Sequence, residues 1–404
     1  MGRVDMAELT ALLTPEGLRL LDEIPAVGSA DDVARTVSRL RAAGHSPDLV
    51  SAVVGQARLR ARAKTKFGDF ASRMLFTRAG LEQATRLSIA AAHAGRFQDA
   101  GIRHVFDLGC GIGGDALGLA ALGMTVDAVD ADEVTTAIAA YNLAPFGADV
   151  RVRHARAEDE VAEWGPDVPA ATAVWLDPAR RTAGHSETSR TRPEDWSPSL
   201  EWAFDLAARV PAGIKLGPGL DRALIPDDVE AQWVSVDGST VELILWSGAL
   251  ARDGVRRAAL VFRGKTVNEI RAAEDSPDEP ARELGAFLHE PDGAVIRARL
   301  IGDVARSLEA GMLDPQIAYL TSDAALTSPF VQSFRVREEL PTDAKALARA
   351  LRERGIGTLE IKKRGVDVDP AALRTKLKLH GDESATLLLT RVGTKRCAIL
   401  ADRV

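Results

Sequence analysis

Only two cysteines, Cys110 and Cys397, occur in 404 residues. So few exclude a disulfide-stapled scaffold or a zinc cage built mainly of thiolates, and give no sign of an oxidising compartment. The seven histidines are scattered along the chain, so no metal is expected. No apolar run approaches the roughly 18 residues of a membrane span, and the amino terminus MGRVDMAELT carries Asp5 and Glu8 where a signal peptide needs an apolar core. No membrane partner is expected, and the cytoplasm is the expected compartment. Repeats, low-complexity tracts and long heptad runs are also missing; this disfavours a coiled-coil dimer and leaves the oligomeric state open. What remains is an ordinary folded composition, 46% hydrophobic and 27% charged, in a chain long enough for two or three domains.

The net charge of −7 argues superficially against a nucleic-acid partner. Its distribution argues the other way. From Arg335 to Val404 there are 16 Lys or Arg and 10 Asp or Glu, a local +6 in an otherwise acidic chain.

Residues 1–96 read as helical, with caps at Thr14, Ser29 and Ser46, each followed by apolar spacing of three and four. A further helix is expected from Thr77 to Gly95. From about 97 the texture changes. The apolar runs HVFDL, VDAVD, VRVRH, TAVWLD, GIKLG and VELILW alternate with helical stretches, which predicts a doubly wound, mainly parallel α/β sheet over 97–266. The acidic, proline-ended stretch 267–281 is the linker candidate. Beyond it, 282–404 is expected to form an α+β segment ending in a basic module at about 335–404.

The strongest chemical signal is VFDLGCGIGGD, a strand running into a turn that carries Asp107, Gly109, Cys110, Gly111 and Gly113 before a helix. Gly109, Gly111 and Gly114 also satisfy the dinucleotide spacing G-x-G-x-x-G, and Asp130 lies where a ribose ligand belongs. Spacing therefore leaves two cofactors and a bare structural turn open. Electrostatics favours one of them. A pyrophosphate would be repelled by Asp107, whereas S-adenosylmethionine brings an ammonium and a sulfonium. Asp130 would then accept from the ribose hydroxyls and Asp159 from the adenine amino group.

Through DLGCGIGGD, VDAVDAD and LDPARR, in that order, the sequence resembles the class I S-adenosylmethionine-dependent methyltransferases. Through FTRAGLEQAT, WLDPARR, GIKLGPGL and IGTLEIKKRGVDVDPAALRTKLKL it is similar to an actinobacterial methyltransferase family with a THUMP-like carboxy-terminal domain. The resemblance covers most of the chain. It implies a Rossmann-like methyltransferase sheet, S-adenosyl-L-methionine as donor with S-adenosyl-L-homocysteine as product, and an RNA acceptor such as tRNA or rRNA.

On the acceptor side, Asp177-Pro178-Ala179-Arg180 stands where amino-methylating enzymes carry Asp or Asn, Pro, Pro and an aromatic. Asp177 and Pro178 keep the pattern; Arg180 replaces the ring and can stack through its guanidinium plane or bind phosphate. A uracil C5 mechanism would need a nucleophilic cysteine on a later loop of the catalytic domain, and there is none. Arg181, Arg190, Arg192 and Trp196 follow on a polar loop suited either to RNA or to plain solvation. Lys215 at the next strand end is a still weaker candidate and is more simply a solvated terminus. Thr77 is either a lid over the cofactor or simply an N-cap. In the tail, Lys362, Lys363, Arg364, Lys376 and Lys378 concentrate charge suited to phosphates. The expected function is methylation of a base in structured RNA. Two rivals stand beside it: a methyltransferase for proteins or small molecules, and a non-catalytic RNA-binding protein with a degenerate methyltransferase fold.

Overall fold

The computed structural model describes residues 6–25, 27–164, 168–180 and 196–404. The chain divides into two compact units, Met1–Leu216 with Leu245–Ala251, and Gly217–Ile244 with Arg252–Val404.

The first unit opens with the helices Pro15–Glu23, Ala30–Ala42 and Pro47–Phe67, each started by its expected side-chain cap: Thr14, Ser29 and Ser46 accept from the backbone N–H groups of Gly17, Asp32 and Leu49. Such caps contribute about 1 kcal/mol each. The single helix expected from Thr77 to Gly95 is instead two, Arg78–Gln83 and Leu87–Asp99. Lys66 explains the break, because its ammonium donates to the carbonyls of Leu81, Glu82 and Ala84 at 2.7–2.8 Å and terminates the first helix from outside. Gly95 is no terminus and lies inside the second helix.

Five parallel strands follow: β1 (His104–Leu108), β2 (Thr125–Asp130), β3 (Val150–His154), β4 (Thr172–Leu176) and β5 (Ala212–Leu216). Their order is β5-β4-β1-β2-β3, with Leu108 in register with Val129 on one side and Leu176 on the other. The winding therefore reverses between β1 and β4, and in an open α/β sheet the crevice beyond the strand ends at such a reversal is where ligands bind. The residues that leave β1 and β4 at that point are Gly109 and Asp177. β4 and β5 are buried along their whole length, whereas β3, at the edge, exposes Arg151 and Arg153.

Side chains fasten the helical lead-in to this crevice. Asn142 on the helix Glu133–Leu143 accepts from the Leu75 N–H and donates to the carbonyls of Leu75 and Ile112. Gln56 pairs in the same two-way manner with the backbone of Phe76. The extended segment 74–76 thus obtains from side chains the partners that a neighbouring strand would supply.

In the second unit the expected linker is not one. Its first part lies in the strand Thr266–Ala272, antiparallel to Arg257–Arg263, and the chain passes between the units at Leu216/Gly217, Ile244/Leu245 and Ala251/Arg252. The charges of VNEIRA masked an edge strand. Further on lies a seven-stranded sheet in the order Gly311–Asp314, Ile317–Ser322, Phe287–Pro291, Val331–Leu340, Lys395–Arg403, Glu383–Val392, Ile356–Lys363. Alternation along the strands sorts its two faces. Leu387, Leu389, Ala398 and Leu400 pack with Leu347, Leu351 and Leu377 of the helices Ala344–Glu353 and Pro370–Leu377, while Leu388, Ile399 and Ala401 pack with Leu288, Tyr319 and Phe334. The basic module expected at about 335–404 is thus one half of a larger sheet.

Candidate active site

The glycine turn forms as the sequence predicts. Gly109, Gly111 and Gly113 all have positive φ, and the N–H groups of Gly109 and Cys110 both donate to the Val129 carbonyl, so the turn is tied to the end of β2. Gly109 has a second requirement: a Cβ there would sit 3.1 Å from the Asp177 carbonyl oxygen. The two loops of the crevice therefore approach backbone to backbone. A Cβ at Gly111, by contrast, would meet no atom within 4 Å, which marks the open side of the turn.

Asp107 is 1% exposed, and neither carboxylate oxygen has a hydrogen-bond partner. Burial, reinforced by the charges of Asp115 and Asp177 and only partly opposed by Lys215, makes it a weaker acid, with its pKa held well above the usual carboxylate range. A buried, partnerless acid beside an open glycine turn suits a cationic ligand group, whose charge offsets what burial costs. Asp130, at the end of β2, accepts from Gly111 N–H through Oδ2 and from Asp132 N–H through Oδ1, both at 2.9 Å, and burial raises it as well. Each oxygen keeps acceptor capacity for a hydroxyl. Asp130 suits the ribose of either cofactor, but Asp107, buried beside the turn without a donor, suits the ammonium of S-adenosylmethionine and opposes a pyrophosphate.

Across the crevice, Asp177 follows β4 with its side chain 33% exposed, and Pro178 is buried. Lys215, read from sequence as a solvated strand end, is 9% exposed and turns inward. Its ammonium lies 2.5 Å from Asp177 Oδ2 and 3.7 Å from Asp115 Oδ2, and donates to Thr85 Oγ1 at 3.0 Å. Asp115 in turn accepts from the Thr85 hydroxyl at 2.7 Å and pairs with His93 Nδ1 at 2.9 Å. Burial alone would raise Asp115; Lys215 and His93 reverse the effect and hold it at about 2. The His93 ring packs on Trp175 with centroids 4.6 Å apart. Sequence reasoning passed over Thr85, His93 and Asp115. The available signals were the acid closing DLGCGIGGD and one lysine in the otherwise apolar strand AGIKL.

Other expected residues are placed differently. Thr77 Oγ1 accepts from Gly80 N–H at 2.8 Å, which makes it the N-cap of its helix, and that helix packs close to Ile112 of the glycine turn. Asp159 is exposed in the first turn of the helix Ala157–Ala162, while its neighbour Glu160 is buried and paired with Arg153. Cys110 is buried, and burial raises its thiol well above its usual value, so it is no nucleophile. The Ala179–Arg180 backbone pairs antiparallel with Trp196–Ser197, closing the base of the arginine loop. Trp196 itself is buried, which removes it as a stacking platform for a base. Arg181, Arg190 and Arg192, with the Arg180 side chain, lie outside the described residues.

In the second unit, Lys362 Nζ lies 2.6 Å and Arg364 3.6 Å from the carboxylate of Glu290, and the Arg364 guanidinium lies over the Tyr319 ring. These two cations already have an acid partner. Lys363, Lys376 and Lys378 are exposed.

Comparison with known proteins agrees with this geometry. Two curated relatives, both described as uncharacterized S-adenosylmethionine-dependent methyltransferases from Mycobacterium tuberculosis (strains CDC 1551 and H37Rv), are 33% identical over 365 residues, covering 88% of this chain and 95% of theirs. The chain belongs to the S-adenosylmethionine-dependent methyltransferases. Within that class, residues 331–403 match a THUMP domain-like family, and residues 5–63 match a domain of unknown function, DUF8688. A solved structure of a candidate methyltransferase from Porphyromonas gingivalis W83 has the same fold, with a TM-score of 0.71 at 22% identity over 98% of this chain and 96% of that one. Among the described residues, no helix is long and apolar enough to cross a membrane, and no His, Cys, Asp and Glu cluster could hold a metal ion.

Proposed function

We propose that this methyltransferase modifies a base in structured RNA, tRNA or rRNA, and that its terminal sheet docks the RNA. The observation that carries the reading is the match of 331–403 to a THUMP-like domain in a segment whose exposed side chains include Lys363, Lys376 and Lys378. Lysines on a compact module engage phosphates without reading sequence, which leaves the choice of nucleotide to the catalytic crevice. Arg181, Arg190 and Arg192 belong to the same proposal.

At the crevice, Asp107 takes the amino-acid end of the cofactor, the turn from Gly109 through Cys110 and Gly111 to Gly113 supplies backbone contact, and Asp130 accepts from the ribose. Asp159 reaches the adenine, and the helix capped by Thr77 walls the site. The cofactor supplies a methyl group on a sulfonium, which leaves as a neutral thioether while the acceptor gains the methyl and releases one proton. Asp177 and Pro178 orient the acceptor, with Arg180 against the substrate, and positioning of this kind supplies most of the catalysis in such a displacement.

The test incubates purified protein with radiolabelled-methyl S-adenosylmethionine and total RNA from a strain lacking the gene. Nuclease-sensitive label, lost in Asp177→Ala and reduced at least about tenfold in Lys363→Glu/Lys376→Glu/Lys378→Glu, is the expected result. Label in protein or small molecules with none in RNA would contradict it.

A further inference from the structure

Among the described residues, His93, Asp115 and Thr85 stand behind Lys215 and are buried, whereas the acid it holds, Asp177, is not. His93, Asp115 and Thr85 are 2%, 8% and 5% exposed, and their hydrogen bonds lead to an ammonium beside an Asp177 side chain that is one-third exposed. The chain of contacts thus has a buried root and reaches the crevice at Asp177. Distance decides which acid the lysine serves first: it lies 2.5 Å from Asp177 and 3.7 Å from Asp115. The helix break at 84–86 has a purpose in the same terms, because it places the Thr85 hydroxyl between Asp115 and Lys215. A solvated or merely space-filling lysine needs none of this. Burying an ammonium is expensive unless its partners are fixed, and here the partners converge on the acid that follows β4.

We propose that Lys215 is a positioning residue for methyl transfer, a buried ammonium that fixes the orientation and the negative charge of the Asp177 carboxylate at the place where the acceptor enters. His93, Asp115 and Thr85 are its support. This rests on the methyltransferase activity of the chain and not on RNA being the acceptor. In this role Lys215 acts through Asp177 rather than on the acceptor, so removing both should cost no more than removing Asp177 alone.

The experiment measures single-turnover transfer from radiolabelled-methyl S-adenosylmethionine into a whole extract of a strain lacking the gene, fractionated into RNA, protein and small molecules. Lys215→Met is expected to slow transfer at least about 30-fold while cofactor affinity, measured by calorimetry, changes far less, and Lys215→Arg to recover much of the loss. Lys215→Met/Asp177→Ala should be no slower than Asp177→Ala. Should Lys215→Met fail to fold for want of a counter-charge to Asp115, Lys215→Met/Asp115→Asn removes both charges together and should show the same loss. A second readout needs no turnover: in ¹⁵N-lysine-labelled protein, the Nζ resonance that vanishes in Lys215→Met should shift in Asp177→Ala. Wild-type transfer in either Lys215→Met protein, multiplicative losses in the double variant with Asp177, or an unmoved Nζ resonance would each overturn the role. Absence of label from every fraction with wild-type protein would instead overturn the methyltransferase reading, and the role with it.

Discussion

In the proposed cofactor site, Asp107 is the residue on which cofactor recognition and stability conflict. A carboxylate buried without a donor destabilises the cofactor-free protein once it ionises. Its folded-state pKa lies above the ordinary 3.8, so its contribution to stability is fully present below that pH and is lost as pH rises through the raised value. Asp107→Asn should therefore melt higher than the cofactor-free wild type at pH 8, by a few degrees for each ~1 kcal/mol recovered, and the gap should close towards pH 4. Melting curves across pH check this; a variant that melts lower at pH 8 would contradict it. Asp107 and Asp130 were legible because a strand-end acid has a fixed offset from the glycine turn. Lys215 was not, since the hydroxyl that identifies it as buried lies 130 residues away in sequence.

Among the elements, the glycine turn and the broken helix carry opposite lessons. The turn is local, and its chemistry follows from spacing: at Gly109 both φ +94° and the nearby Asp177 carbonyl exclude a side chain. Gly109→Ala should cost about 1–3 kcal/mol in urea unfolding and weaken cofactor binding with it, while an unchanged midpoint would contradict the packing described. The helix break could not be read locally. Apolar spacing runs unbroken from Leu81 to Ala92, and the terminator, Lys66, comes from another helix. Lys66→Met should cost about 1–2 kcal/mol by the same measurement, because three carbonyls lose a charged donor.

For the whole molecule, the parallel part of the fold was readable and the antiparallel part less so. Strands that alternate with helices announce a doubly wound sheet, and β1 to β5 stand where HVFDL, VDAVD, VRVRH, TAVWLD and GIKLG predict. The seven-stranded sheet instead joins distant segments, Phe287–Pro291 between Ile317–Ser322 and Val331–Leu340, and pairings of that kind leave no local period. One consequence is that the THUMP-like segment is not a detachable module. Leu388, Ile399 and Ala401 share their core with Leu288, Leu313 and Tyr319. A fragment of residues 331–404 should show no cooperative melting, and one that melted cooperatively would contradict the shared core.

Calorimetric titration of S-adenosylmethionine into the whole protein bears most directly on the assignment of the crevice. One molecule should bind per chain. Affinity should fall at least about tenfold in Asp107→Asn and in Asp130→Asn, and should change far less in Asp177→Ala, if the proposed assignment of two acids to the cofactor and the third to the acceptor holds. No heat of binding to the wild type, or equal affinity in the Asp107 and Asp130 variants, would contradict it.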